Sequence, residues 1–238
     1  MITTDPKILT IAFLGGFIPS LLWLWFWLNE EEKPEPKGLL TVVFIMGMIS
    51  VVIALPVEKF IQAHLNSQNG QIILWASVEE ILKYLAVLII LYRTNYINEP
   101  IDWSIYLITA ALGFAALENA FFLLKPFSIN QAVVAMLTGQ LRFLGSTLLH
   151  TVTSGTIGIA IGLSFFMKRF GKKWFLFIGF LVAIALHSAF NFFIMRNNGN
   201  DFLKVSAFLW VVTIIIMLLF ERVRRMSEDS DVKVGVPT

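Results

Sequence analysis

The sequence predicts an all-α polytopic membrane protein, with about seven transmembrane helices in one bundle. Of the 238 residues, 57% are hydrophobic and 14% are charged, whereas a soluble domain has about 45–50% apolar and about 25% charged residues. Seven stretches are apolar over roughly the 20 residues that a bilayer core requires, and such spans must be helical because lipid cannot satisfy an open backbone. The predicted spans are Ile8–Leu28, Leu39–Val57, Ile72–Tyr92, Ile101–Leu124, Arg142–Met167, Trp174–Met195 and Phe202–Phe220.

The first span is expected to be a retained membrane helix. The segment before this span has no net charge from Asp5 and Lys7, because the two cancel. Three glutamates follow the span, and no small-residue cleavage site precedes those glutamates. A secretory signal peptide has a basic start and such a site. The second span follows a short charged loop that contains Pro34 and Pro36.

The third span contains three ionisable residues, Glu79, Glu80 and Lys83. Each costs about 2.5–3.5 kcal/mol at the centre of a membrane helix. Adjacent helical residues point about 100° apart, so the two carboxylates face different directions, and Lys83 can reach either of them. We expect one carboxylate to pair with Lys83 and the other to face a polar pocket. The alternative is a buried ion pair that only fixes helix packing.

The fourth span places Phe114 and Glu118 one turn apart on the same face. Ala110, Gly113 and Ala116 are small and permit close helix contact. Taken alone, Glu118 is equally consistent with a protonated core carboxyl group that donates to a backbone carbonyl.

The fifth span contains Arg142 and His150, followed by Ser154, Gly158 and Gly162 at four-residue spacing. The small residues are interpreted as a packing face. A single histidine in a membrane helix is often only a hydrogen-bonded core residue, and this alternative stays open for His150.

The sixth span contains His187 and Asn191, which face the same side because they are four residues apart. Together they offer hydrogen-bond donors to a shared point. The alternative is a pair that only hydrogen-bonds to a neighbouring helix.

The rest of the chain contributes little chemistry. We expect residues 1–225 to form a single transmembrane domain with a motif-bearing core at 72–195, and residues 226–238 to form a disordered cytoplasmic tail. The apolar stretch 132–141 is too short to span alone and is either interfacial, re-entrant or part of the fifth helix. The absence of cysteine excludes disulfides, thiolate metal sites and cysteine nucleophiles. A net charge of +2 does not indicate a nucleic-acid partner.

The distribution of Lys and Arg predicts the orientation. The face that holds the C-terminus carries 11 of them and the opposite face carries five. The positive-inside rule then places the C-terminus in the cytoplasm and the N-terminus outside. At 1.5 Å per residue, the ionisable residues of the third to sixth spans lie about 10–12 Å from the outer ends of their helices or from Arg142. This common level predicts a single polar cavity.

At these motifs the sequence resembles the PrsW family of intramembrane proteases, which is related to the CAAX prenyl endopeptidases and to the scaffold subunit of γ-secretase. The resemblance covers roughly residues 77–191. The matching positions are Glu79, Glu80 and Lys83 for Glu-Glu-x-x-Lys, Phe114 and Glu118 for Phe-x-x-x-Glu, Arg142 and His150 for the Arg and His of a later helix, and His187 and Asn191 for His-x-x-x-Asn.

The resemblance implies an endopeptidase of a bacterial plasma membrane that cuts a single-span membrane protein near its extracytoplasmic side. The family theme is site-1 cleavage of an anti-sigma factor. By analogy, Glu79 is slightly preferred to Glu80 as the general base for water.

The other motif residues have supporting roles in this hypothesis. His187 and Asn191 would stabilise the oxyanion, and Glu118 and His150 would position water or relay a proton. Lys83 and Arg142 would keep the partner carboxylate ionised.

Three alternatives remain. The preferred mechanism needs no cofactor, but His150, His187, Glu118 and Glu79 also form a ligand set suited to zinc. Buried ionisable residues also occur in proton- or ion-coupled transporters, although no inverted repeat is visible. The third alternative is a non-catalytic membrane scaffold, in which both glutamates would have little use.

Overall fold

A computed structural model describes residues 5–29, 33–92, 94–128, 142–196 and 202–234. Over these ranges the chain is helical and contains no strand, in agreement with the predicted fold class. A π-helical turn, Arg142–Ser146, leads directly into the fifth helix. The helices are α1 (Pro6–Asn29), α2 (Lys37–His64), α3 (Gln68–Leu91), α4 (Asp102–Ser128), α5 (Thr147–Leu163), α6 (Arg169–Arg196) and α7 (Phe202–Val234).

Five of the helices in the described ranges are long and apolar enough to cross a membrane: α1, α2, α4, α6 and α7. Helix α3 contains three charged side chains, and α5 has 17 residues, to which the π-helical turn adds five. Nine of the 19 buried polar or charged side chains in the described ranges lie on these two helices. The chain is therefore an integral, polytopic helical membrane protein.

Helix α4 lies at the centre of the bundle. Its neighbours are α1, α2, α3 and α5, and 83% of its apolar span is buried. Most side chains of α4 therefore meet protein and not lipid. This central position allows polar residues such as Glu118 and Asn119 to find partners on adjacent helices.

Glycines allow α4 to approach its neighbours closely. A Cβ atom on Gly47 of α2 would collide with the backbone carbonyl of Ala110, and a Cβ atom on Gly113 would collide with the carbonyl of Phe44. A Cβ atom on Gly158 of α5 would also collide with the backbone at Ser104. Gly113 and Gly158 thus occupy the packing positions that their small size predicts.

We expect Gly47→Ala to destabilise the protein, because α2 and α4 would have to separate to accommodate one methyl group. Overpacking of this kind costs about 1–3 kcal/mol. Gly38→Ala in the first turn of α2 is the matched control, since a methyl group added there would meet no atom within 4 Å. Thermal unfolding in detergent should show a lower Tm for Gly47→Ala alone. Equal Tm values for the two variants would contradict the close approach.

Helix ends differ from the predicted spans in two informative places. Helix α2 contains Pro56 and continues past Val57, where the predicted span ends, to His64. Helix α7 continues to Val234, although residues 226–238 were expected to be disordered. No Pro or Gly occurs in α7 before Gly235, so nothing in the sequence interrupts the helix. The stretch 132–141, whose placement was left open, lies outside the described residues.

Candidate functional site

Polar side chains from α3, α4, α5 and α6 meet around one cavity of about 470 Å³ inside the bundle. This cavity extends toward the C-terminal ends of α2 and α6, where it reaches Gln62 and Ile194. Residues that the sequence singles out form much of its wall, namely Glu79, Phe114, Glu118, Arg142, His150, His187 and Asn191.

Glu80 does not line this cavity, because its carboxylate is fully occupied by donors. Oε1 accepts from Lys83 Nζ at 2.7 Å and from Thr153 Oγ1 at 2.9 Å, and it lies 2.8 Å from His187 Nδ1. Oε2 accepts from Ser154 Oγ at 2.7 Å. The side chain is completely buried. Glu80 therefore ties together α3, α5 and α6.

Glu79 has the opposite environment. Its side chain is 7% exposed, and Oε2 is buried without a hydrogen bond to any described residue. Oε2 lies 3.8 Å from Lys83 Nζ, 3.8 Å from His150 Nδ1 and 3.7 Å from His187 Nε2. The two adjacent glutamates thus divide as their helical spacing predicts, with one paired to Lys83 and the other facing the cavity.

Carboxylates orient both histidines. His187 Nδ1 donates to Glu80, which leaves Nε2 directed toward Glu79. His150 Nε2 lies 3.2 Å from Glu118 Oε2, and His150 Nδ1 lies 2.9 Å from Lys83 Nζ. Since the lysine can only donate, this network assigns the proton of His150 to Nε2. The two rings meet edge to face, with centroids 5.1 Å apart.

Glu118 is held by the π-helical turn before α5. Its Oε2 forms an ion pair with Arg142, and Arg142 Nε donates to Asn119 Oδ1 at 2.5 Å. Asn119 Nδ2 in turn donates to Thr147 Oγ1 at 2.8 Å. The side chain of Arg142 also lies over the ring of Phe122. The predicted residues Arg142 and Glu118 are therefore direct partners.

Phe114 supports the centre of the cluster. Its ring lies 5.2 Å from the ring of His150 between centroids, and Lys83 Nζ lies 4.6 Å from the Phe114 centroid. A cation over an aromatic face gains electrostatic stabilisation. Asn191 lies one turn after His187 and lines the same cavity, as their spacing predicts.

Glu79, His150 and His187 also form a group that fits a metal ion. One ligand atom from each of the three lies within 4.8 Å of the others. Zinc bonds of about 2.0–2.2 Å place tetrahedral ligand atoms about 3.4 Å apart, close to the 3.7 and 3.8 Å that separate Glu79 Oε2 from the imidazole nitrogens. Glu118, which the sequence analysis also included, is directed to His150 Nε2 and to Arg142.

Sequence reasoning missed several members of the site. Ser154 was interpreted as a packing residue, but its hydroxyl donates to Glu80 across 74 positions of sequence. Thr153 does the same, and Asn119 links Arg142 to Thr147. Glu58 of α2 lines the cavity and lies just beyond the predicted second span. A polar residue within or at the end of an apolar stretch was the available indication in each case.

Comparison with known proteins agrees with this architecture. A family model described as PrsW family intramembrane metalloprotease matches residues 35–220. Protease PrsW of Clostridioides difficile is 28% identical over 214 residues, which cover 86% of this chain and 86% of the relative. Protease PrsW of Bacillus subtilis is 26% identical over 206 residues, which cover 82% and 89% respectively.

A third relative, Protease PrsW of Geobacillus kaustophilus, is 24% identical over 188 residues that cover 77% of this chain and 80% of the relative. No solved structure matches the chain. The family model extends from the loop before α2 to the middle of α7 and includes every residue of the cluster around Glu79. This protein therefore belongs to the PrsW family of intramembrane proteases.

Proposed function

We propose that this protease hydrolyses a peptide bond of a single-span membrane protein with a water molecule activated by Glu79. The observation that carries the proposal is the environment of Glu79 Oε2, which is buried, lacks a hydrogen bond to any described residue and faces two imidazoles in a cavity. Glu80 is the weaker candidate for the base because Lys83, Thr153, Ser154 and His187 already occupy its oxygens.

The reaction begins when Glu79 Oε2 removes a proton from the water and the water oxygen attacks the scissile carbonyl carbon. The tetrahedral intermediate then collapses with cleavage of the C–N bond, and Glu79 returns the proton to the leaving nitrogen. The immediate products are a carboxylic acid and an amine, and transfer of a proton between them gives a carboxylate and an ammonium group. General acid–base catalysis of this kind contributes about 10²–10⁴-fold to the rate.

The position of His187 supports a role in stabilising the oxyanion. Three glutamates, 79, 80 and 118, face two cations, Lys83 and Arg142, which leaves one excess negative charge. A proton shared among the glutamates, or one protonated histidine, would neutralise the cluster. His187 Nδ1 is bonded to Glu80, which leaves Nε2 directed toward Glu79 in the cavity. The Asn191 amide, on the same face of α6, offers a second donor to the oxyanion.

The remaining motif residues act by positioning. Glu118, held by Arg142, orients His150, and Lys83 donates to His150 from the other side. Glu80 holds His187 in the same way, as carboxylates commonly orient histidines in catalytic sites.

The same three side chains support a metal-dependent form of the mechanism. Glu79 Oε2 lacks a hydrogen-bond partner among the described residues, both histidines have a carboxylate on the nitrogen away from Glu79, and these are the usual attributes of a zinc-binding Glu and His set. Glu79, His150 and His187 would hold the ion, and Lys83 would then give up its hydrogen bond to His150 Nδ1. A bound zinc ion lowers the pKa of a coordinated water to about 7 and polarises the scissile carbonyl.

The cavity favours a cut near the extracytoplasmic side. It extends toward the ends of α2 and α6 that belong to the face with fewer Lys and Arg residues, which the positive-inside rule places outside. A plasma-membrane location, an outer N-terminus and site-1 cleavage of an anti-sigma factor follow as parts of this proposal.

Cleavage of a single-span substrate by purified protein in liposomes tests the proposal, and a chelator series tests the catalytic type. Metal-free catalysis predicts unchanged rates in strong chelator and no stoichiometric metal in the purified protein. Metal-dependent catalysis predicts loss of activity, recovery with zinc, and metal content that falls in His150→Ala and His187→Ala. The proposal fails if the folded protein cleaves no membrane substrate under either condition.

A further inference from the structure

We propose that Glu58 selects a substrate with a cationic side chain about three residues to the outer side of the scissile bond. This inference rests on the proposed function, since it assigns a specificity-determining residue to the same cavity. It concerns α2, which supplies none of the motif residues.

Glu58 belongs to a stripe of α2 that forms one wall of the cavity. Val51, Ala54, Leu55, Glu58 and Gln62 all line it, and their spacing of three and four residues places them on one helix face. The backbone carbonyl of Glu58 accepts the indole N–H of Trp75 at 3.2 Å. This bond joins α2 to α3 at the level of Glu58 and holds the carboxylate at the wall.

The carboxylate of Glu58 differs from the other two in the cavity wall because it forms no ion pair with a described residue. Glu118 is paired with Arg142, and Glu79 lies 3.8 Å from Lys83 Nζ. Within the part of the chain that the structure describes, no hydrogen bond or ion pair reaches the Glu58 side chain. Its neighbour Lys59 also lines the cavity but is exposed, and adjacent helical residues point about 100° apart. A substrate cation would supply the missing charge.

The position of Glu58 along α2 sets the distance from the cut. Val51 packs against Phe114, whose ring contacts His150, so Val51 marks the level of the catalytic cluster. Glu58 lies seven residues further on, about 10 Å along the helix. An extended peptide advances about 3.3 Å per residue. The carboxylate therefore meets the third residue beyond the scissile bond, toward the outer end of α2.

The test is a charge exchange between enzyme and substrate. A single-span substrate is prepared with Lys, Gln or Glu at the second, third or fourth position outside the cleavage site. Each is cleaved by wild type, Glu58→Gln, Glu58→Lys and the control Glu221→Gln, which alters a carboxylate on α7 outside this cavity. Cleavage products are quantified to obtain kcat/KM.

We expect the wild type and Glu221→Gln to prefer Lys over Glu at the third position by about ten-fold or more, since a desolvated charge pair contributes at least about 1.4 kcal/mol. Glu58→Gln should lose the preference, and Glu58→Lys should reverse it. A reversal cannot arise from misfolding. Equal rates for all substrates would overturn the inference, and so would a loss of cleavage in Glu58→Lys that is the same for every substrate. In either case, cleavage by the wild type leaves the proposed function intact.

Discussion

Replacing Glu79 with Gln is expected to reduce cleavage about 10²–10⁴-fold and to leave the fold intact. The amide keeps the size of the side chain but cannot accept the proton of the attacking water. Glu79 Oε2 makes no hydrogen bond among the described residues, so the substitution breaks none there. Removal of a buried carboxylate should hold the Tm at or above the wild-type value, because burial of an unsatisfied charge is unfavourable.

The measurement combines single-turnover cleavage in liposomes with thermal unfolding in detergent. Glu221→Gln on α7 is the matched control, since it makes the same chemical change in a surface ion-pair group. Its activity should equal that of the wild type. Retention of more than a tenth of the activity in Glu79→Gln, with a normal Tm, would exclude Glu79 as the base.

Lys83→Met is expected to destabilise the protein more than any other substitution in the cluster. It removes the cation from the completely buried carboxylate of Glu80 and the donor from His150 Nδ1. Loss of one member of a buried ion pair costs about 3–5 kcal/mol, because the other charge is left uncompensated. Thermal unfolding in detergent should show the loss as a lower Tm, and cleavage should fall with it.

A double-mutant cycle separates the ion pair from simple packing. The double variant of Glu80→Gln and Lys83→Met removes both charges and should lose less stability than the sum of the two single variants, by about 0.5–3 kcal/mol of coupling energy. If the free energy of unfolding that the double variant loses equals the sum of the losses in the two single variants, the pair is not coupled. In that case Glu80 would not depend on Lys83 for its charge.

The sequence was sufficient for features that depend on one helix at a time. Apolar length identified the helical segments, and the spacing of Glu79, Glu80 and Lys83 was enough to expect one carboxylate paired with Lys83 and the other facing a polar pocket. The spacing of His187 and Asn191 likewise placed both on one face. These inferences hold because the period of 3.6 residues sets the direction of each side chain relative to its own helix.

The choice between the glutamates required the other helices. Glu80 is the paired carboxylate because Thr153, Ser154 and His187 reach it from α5 and α6, as well as Lys83 from α3. The partners on α5 and α6 lie 73 to 107 positions away in sequence. No local pattern links residues at such separations.

Tertiary packing also decided which polar residues belong to the site. Ser154 has the four-residue spacing of a packing face, and only the approach of α3 makes its hydroxyl a donor to Glu80. Glu58 follows an apolar span that has no motif, and only the position of α2 beside α4 brings it to the cavity. Periodicity determines where a side chain points on its helix, but the rotation of each helix against its neighbours follows from interhelical packing, which is not encoded in any single segment.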